Sequence, residues 1–445
     1  MTDSFENVGG SQLPFGLAAL ARRAFAEADL RPLWRTLTDR LHRDPEDAAS
    51  LLDLSVLVQL AGDRARALAL QAAALQRQRL FEVPLRRGAR PTLHLLAFLA
   101  PGDFMANTPL ELLLEESDVR LTLCYVGPGG APPAGIPPHD LAIVAVTESD
   151  ENRRVLAELE PLVAAWPRPV LNRPARIATV ARDALGRVLA STPGLVLPPT
   201  LRTDRAALAA IGAGAEALDG LGAFPLIIRP AGSHAGHGLA KLEVAADLRQ
   251  YLEDHADTSF FLAPFIDYRG ADGLFRKARI ALIDGQPYAC HLAVSERWMV
   301  HYLNAGMTES PAKRAEEARF FDAFDTDFVP RHRRTLDAIV QRLGLDYVAL
   351  DCAELPDGRL LLFEADNAMI IHAMDPPALF PYKPQQMRRV FQAFQALLVR
   401  EARRGCSAYE VGAPRHGSDV ATSRREGARG ATPGASGHES LHAVT

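Results

Sequence analysis

The residue pattern predicts an α/β chain with an all-α N-terminal region, on three observations. Up to about residue 83, alanine and leucine recur at helical spacing. Between 92 and 171, short continuous apolar runs alternate with helix-like segments. Toward the C-terminus, two apolar runs, 347–354 and 359–365, flank Pro356-Asp357-Gly358. These features imply, in that order, a helical cap, a parallel sheet covered by helices, and an antiparallel hairpin.

At 445 residues the chain exceeds one ordinary core, so two or three domains are expected. The formal net charge of -5 gives no pointer to nucleic acid. Cys124, Cys290, Cys352 and Cys406 are far apart and form no CxxC pair, which reads as buried thiols in a reducing compartment. No run approaches the ~18 apolar residues of a membrane span, and the N-terminus lacks a secretion pattern. A cytoplasmic protein with neither nucleic-acid nor membrane partner is expected.

Residues 1–12 are polar and read as a disordered lead-in. Helices follow near 15–28 and 31–43. Asp44-Pro45 places a capping side chain before proline, predicting a helix from Pro45 to Ala61, and Gly62 separates it from another running from Asp63 to Phe81. This helix pair, in the region 13–83, resembles one tetratricopeptide repeat. It suits a cap docked on the body, or else a surface for a protein partner. Pro84 to Pro91 reads as a linker.

Strands are then predicted at 92–99, 119–126, 141–146 and 169–171, with helices near 108 and over 151–166 and 177–190. Thr108-Pro109-Leu110-Glu111 has the form of a capping box. The loop Pro101 to Asn107 lies where parallel sheets bind ligands, and is a candidate for holding a substrate carboxylate or a plain connection. Beyond 405, glycine, serine and arginine replace apolar residues, predicting a disordered tail over 405–445.

Two stretches carry the chemistry. An apolar strand ends at Arg229 and runs into a small glycine-rich turn containing Ser233, Gly236 and Gly238. A fixed positive charge beside a turn with accessible N–H groups suits a polyphosphate. The turn lacks GK[ST] and leads into a strand, so it is neither a P-loop nor a dinucleotide fingerprint. In the C-terminal hairpin, Asp351, Glu364 and Asp366 supply hard oxygen ligands for Mg2+.

Between them lie Ser259 to Tyr268 and an Arg279-bearing strand from Lys277 to Asp284. In this joint order, residues from about 175 to 400 are similar to the ATP-grasp superfamily. Val170-Leu171-Asn172-Arg173-Pro174 looks like the start of that part in ribosomal-protein glutamate ligases, and the region before it resembles their preceding domain. The resemblance implies a pre-ATP-grasp parallel-sheet domain over 91–174 and a two-lobed α+β ATP-grasp domain over 175–401. It also implies an ATP-dependent carboxylate-amine ligase that uses Mg2+, as a pair of ions, on a small-molecule, peptide or protein-tail acceptor.

By the same resemblance, Arg229 would take the place of a phosphate-binding lysine, and Arg182 or Arg187 that of a second one. Pro264, Phe265 and Ile266 would face adenine, with Asp267 near the ribose. Arg279 would contact the transferred phosphate, and Asn304 would sit on a phosphate-side loop. The third metal ligand would be Asp366 or Asn367. His301, Tyr302, His372 and Lys383 are expected to line the acceptor pocket, structural histidines being the alternative. Two other functions stay open: an ATP-grasp-type kinase acting on a hydroxyl, and a non-catalytic ATP-sensing scaffold.

Overall fold

The computed structural model describes residues 13–84, 91–115, 117–213, 220–233 and 236–412. The expected lead-in, most of the linker, His234 and Ala235 of the glycine turn, and the tail beyond 412 lie outside the described residues.

Four helices open the chain: α1 (Leu17–Phe25), α2 (Arg31–Arg43), α3 (Ala48–Leu60) and α4 (Arg64–Arg77). The predicted start at Pro45 is three residues early, because Asp47 and not Asp44 caps α3, accepting from the Ser50 N–H (3.0 Å). Nor does the next helix reach Phe81; it stops at Arg77, and Leu80–Val83 forms a strand, β1. Leu20, Leu33, Leu37, Leu54 and Leu57 make a small core inside this region.

The first sheet has β2 (Leu93–Leu99), β3 (Val119–Tyr125), β4 (Leu141–Val144) and β5 (Val170–Leu171) in parallel, with β1 antiparallel on β3, giving the order β1-β3-β2-β4-β5. Strand β2 alternates between two cores. Leu96 and Phe98 face one with α6 (Arg153–Ala164), and Leu95, Ala97 and Leu99 face the other with α3 and α4. Both faces are covered, which explains the unbroken apolar runs. The predicted capping box is absent: α5 (Leu110–Leu113) starts without a side-chain cap, and Thr108 instead donates to Asn367 O (2.9 Å). The predicted helix over 177–190 divides into α7 (Pro174–Ile177), a 3-10 turn and α8 (Arg182–Val188).

After β6 (Leu195–Val196) comes a second, small antiparallel sheet. It consists of β7 (Leu201–Asp204), β8 (Leu226–Pro230), β9 (Ala240–Leu242) and β10 (Ser259–Pro264), ordered β7-β10-β8-β9 and packed on α9 (Arg205–Gly212) and α10 (Asp247–Asp254). Its core draws only on its own residues, among them Leu208, Ile228, Leu248 and Phe260.

The third sheet runs β12-β11-β13-β14-β6, built from β11 (Phe275–Ile283), β12 (Gln286–Ser295), β13 (Tyr347–Glu354) and β14 (Leu360–Asp366). Strand β12 and the two helices after it, α11 (Pro311–Ala323) and α12 (Val329–Leu343), are not among the expected elements. The final helix, α13 (Lys383–Gly412), continues past the expected break at 405 and lays Val390, Phe394, Leu397 and Leu398 on the second core.

That core joins the first sheet, the third sheet, α3, α4 and α13, so the helical region is part of the body. Buried Asn172 ties two sheets together: it donates to Tyr347 O (2.8 Å) and accepts from the Asp346 and Tyr347 N–H groups (3.0 Å each).

Candidate active site

A cleft of about 780 Å³ opens where the three sheets and the helical region meet. Arg182, Arg229 and Arg279 line it, as do Asp351, Glu364 and Asp366. Gly236, Pro264, Phe265, Ile266, His301, Tyr302, His372 and Lys383 lie along the same cleft.

The acidic residues are placed by strand geometry. Asp351 and Glu364 are directly paired across β13 and β14, and Asp366, two residues on, shares the Glu364 face. Each is engaged. Arg279 Nε donates to Asp351 Oδ1 (2.8 Å) and Lys277 Nζ to Asp351 Oδ2 (2.9 Å). Arg182 pairs with Glu364, and the Thr147 hydroxyl donates to Asp366 Oδ1 (2.8 Å). Burial alone would raise the Asp351 carboxyl, but Arg279 and Lys277 outweigh it and hold it well below the usual carboxylate range.

The basic side draws on the small sheet. Arg229, on β8, is pushed down to about 9 by burial and then by neighbouring Arg182. Its guanidinium holds the turn beyond it: Nε donates to Ser233 Oγ (3.2 Å) and Nη2 to the Ser233 carbonyl. Gly236 and Gly238 both have positive φ, and a Cβ at Gly238 would meet Pro230 Cδ at 2.7 Å, so only glycine fits there. Just after β10, Phe265 packs edge-on against Trp298 (5.8 Å between centroids) and under Lys241 (4.2 Å). The Phe265 N–H is already donated to Pro225 O (3.0 Å).

At the far end, the Met374 N–H donates to His372 Nδ1 (3.1 Å), which leaves the ring proton on Nε2. Burial lowers the pKa of His372; for His301, burial and the Lys277 and Arg279 charges do the same. Lys383 donates to Asp375 Oδ2 (2.9 Å) and to the Tyr302 hydroxyl, which itself donates to Glu317 Oε2 (3.0 Å). Tyr302 and Lys383 therefore brace one wall through a buried network.

Several expected residues do not reach the cleft. Asn304 is exposed, and its Oδ1 accepts the His301 N–H (3.0 Å), closing a turn. Arg187 is exposed on the outer side of α8, so of the two candidate arginines only Arg182 is at the cleft. Asp267 pairs with Arg269 (Nε at 3.0 Å). The Ser233 side chain closes the turn, donating to Pro230 O (2.9 Å). Asn367 is fully buried behind the wall, donating to Val146 O (3.1 Å), whereas Asp366 lines the cleft. In the loop 101–107 four backbone N–H groups are already engaged: Gly102 donates to Gln71 (2.8 Å), Phe104 to Gln59 (2.6 Å), Met105 to the Asp103 side chain (3.0 Å) and Ala106 to Asp103 O (3.0 Å).

Among the described residues, no three His, Cys, Asp or Glu side chains already converge as a metal cage. The donor chemistry nonetheless fits a hard divalent cation, with three carboxylates on one wall facing basic groups.

No protein-family profile matches the chain, and no curated protein matches it in sequence. Solved structures do. The chain is similar to a RimK domain protein ATP-grasp from Sphaerobacter thermophilus at 20% identity, covering 68% of this chain and 99% of that one, TM-score 0.39. It is also similar to the VanG D-Ala:D-Ser ligase from Enterococcus faecalis (14% identity, 68% and 98% covered, TM-score 0.41). A third is the D-alanyl-alanine synthetase A from Vibrio cholerae (10% identity, 72% and 99% covered, TM-score 0.43).

Three further cleft residues escaped the sequence reading. Lys277 lies two before Arg279, so the period-two alternation of a strand would have placed it on the same face. His291 is directly opposite Arg279 on β12, stacked on Tyr302 (4.8 Å), with Nε2 buried and unpartnered. Glu148, partly buried, arrives from the loop after β4. No local signal marks those two, because tertiary packing brings them in.

Proposed function

We propose that the chain is an ATP- and Mg2+-dependent carboxylate-amine ligase that forms an amide through an acylphosphate. The observation that carries this reading is the placement of four cations, Arg182, Arg229, Lys277 and Arg279, against three carboxylates in one cleft. Such a set suits a triphosphate on its basic side and a divalent cation on its acidic side. Asp351, Glu364 and Asp366 would hold magnesium, which when bound supplies charge neutralisation to the triphosphate oxygens.

A substrate carboxylate oxygen would attack the γ-phosphorus, and ADP would leave with the electron pair of the broken P–O bond. A neutral amine would then attack the acyl carbon, expelling phosphate and releasing a proton. Arg279 and Lys277 are fixed by the sheet, so they would stabilise charge on the transferred group without reorganising. Neutral His301 and His372 border the acceptor end, where the His372 Nε2–H would orient a carboxylate. Cys290 also lines the cleft, but burial pushes its thiol up to about 12, which argues against a cysteine nucleophile.

The test is phosphate release from ATP and Mg2+ with panels of carboxylic acids and amines. Release should require both partners and yield a product of amide mass. A stable phosphorylated alcohol would favour the kinase, and nucleotide binding without turnover the sensor.

A further inference from the structure

One wall of the cleft belongs to neither the nucleotide side nor the metal side. Leu17, Ala21, Ala24 and Phe25 line it from α1 at i, i+4, i+7 and i+8, a single helical face. On either flank of that face Ala18 and Leu20 are buried in packing, while Ala19, Arg22 and Arg23 on the far side are exposed. The cleft face stays partly uncovered: Phe25 is 39% exposed, and Ile370, from the loop after β14, is 38% exposed. Met105 adds to the same surface.

The Phe25 ring stands 5.4 Å from the His372 ring, so the apolar surface abuts the acceptor end. The arginines of α1 do not line the cleft: Arg22 pairs with Glu115, although its charge still reaches the His372 ring. The helix is also pinned. Asp53 accepts the Phe15 and Gly16 N–H groups (2.6 and 3.1 Å), and Glu111 accepts from Ala18 (3.1 Å). Ala21 and Ala24, the two alanines of this helix that line the cleft, leave a recess walled by methyl groups between Leu17 and Phe25, and water there gains no polar partner from them.

Resting on the ligase reading, we propose that the α1 face is a specificity subsite for the acceptor. It would take the bulky apolar side chain, branched or aromatic, of an amino acid or short peptide whose reacting end lies by His372. The occupant is a substrate group because the face lines the reaction cleft and Phe25 meets His372 there. The helical region would thus choose the substrate rather than recruit a separate protein.

The test is calorimetric binding of L-leucine, L-phenylalanine, Leu-Leu, glycine and L-aspartate to the full chain, with and without Mg2+ and a non-hydrolysable ATP analogue. It is paired with phosphate release across the same panel. The apolar probes should bind at least tenfold more tightly than glycine or aspartate. Ala24→Phe, which fills the recess, should weaken them tenfold or more with nucleotide affinity unchanged. Phe25→Ser, a change at a partly exposed site, should weaken them severalfold should the first variant not fold.

Saturable binding of apolar probes without phosphate release would retire the ligase reading and keep the subsite. Turnover of aspartate or glycine in preference to leucine and phenylalanine would overturn the subsite and keep the ligase. Absence of binding by all three apolar probes would overturn the subsite as well.

Discussion

Asp351 is the residue on which the charge balance of the cleft turns. It is 3% exposed and faces Arg279 and Lys277 together, so those cations are compensated in the structure by the group that would hold metal. Arg182 and Glu364 repeat the arrangement. Phosphate and divalent cation would each take one partner from these pairs, so their binding should be mutually favourable. Asp351→Asn removes the counter-charge from two partly buried cations and should cost about 3 kcal/mol, read as a lower melting temperature. Pyrophosphate without metal should recover part of that loss. A variant as stable as the parent would show that Asp351 does not hold the cations together. At this scale, residue type and strand period pointed to Asp351 and Glu364, while Arg279 was singled out through the family resemblance. Asn304 and Asp267 were misplaced because a local hydrogen bond or ion pair claims each side chain.

Helix α1 is the element whose position depends on titratable groups. Asp53 and Glu111 accept from N–H groups at its start, and burial pushes both carboxyls up to about 7. Gly16 is required there: its φ is +86°, and a Cβ would lie 2.5 Å from Glu111 Oε2. The folded chain therefore keeps protons that the unfolded chain releases near pH 4. The stabilisation is fully present below that value and is lost as pH rises through about 7. Stability should fall between about pH 4 and 7, and Asp53→Asn should flatten that slope, as measured by urea melts across the range. An unchanged slope would mean that Asp53 is not the titrating anchor. Periodicity gave α1 its helical character but not its role. Nothing in the local sequence says that residues near 17 will meet residues near 370.

For the whole molecule, the decisive feature is the separate core of the small sheet. It carries Arg229 and Gly236, and it meets the first-sheet side through the Arg202–Asp150 pair (Nη1 to Oδ1, 2.8 Å). The rest of the body is held by two cores that each cross from the first sheet to the third. A lobe with a core of its own is the part expected to move when nucleotide binds. Mg2+ and an ATP analogue should compact the chain in small-angle scattering and slow amide exchange in β8 and β9. Unchanged scattering and exchange would remove a closing clamp from the mechanism.

Sequence alone determined the class of many segments, though not of β1, β12, α11 or α12, and pointed to the residue types of the two principal stretches. Alternation, helical spacing and turn residues are local properties, and a basic residue before glycines or carboxylates on a hairpin can be read in one dimension. Tertiary structure decided which of those groups share a cleft, which are consumed by neighbours, and that α1 forms a wall of it. Those outcomes depend on contacts between residues hundreds of positions apart, set by core packing and by bonds such as Thr108 to Asn367.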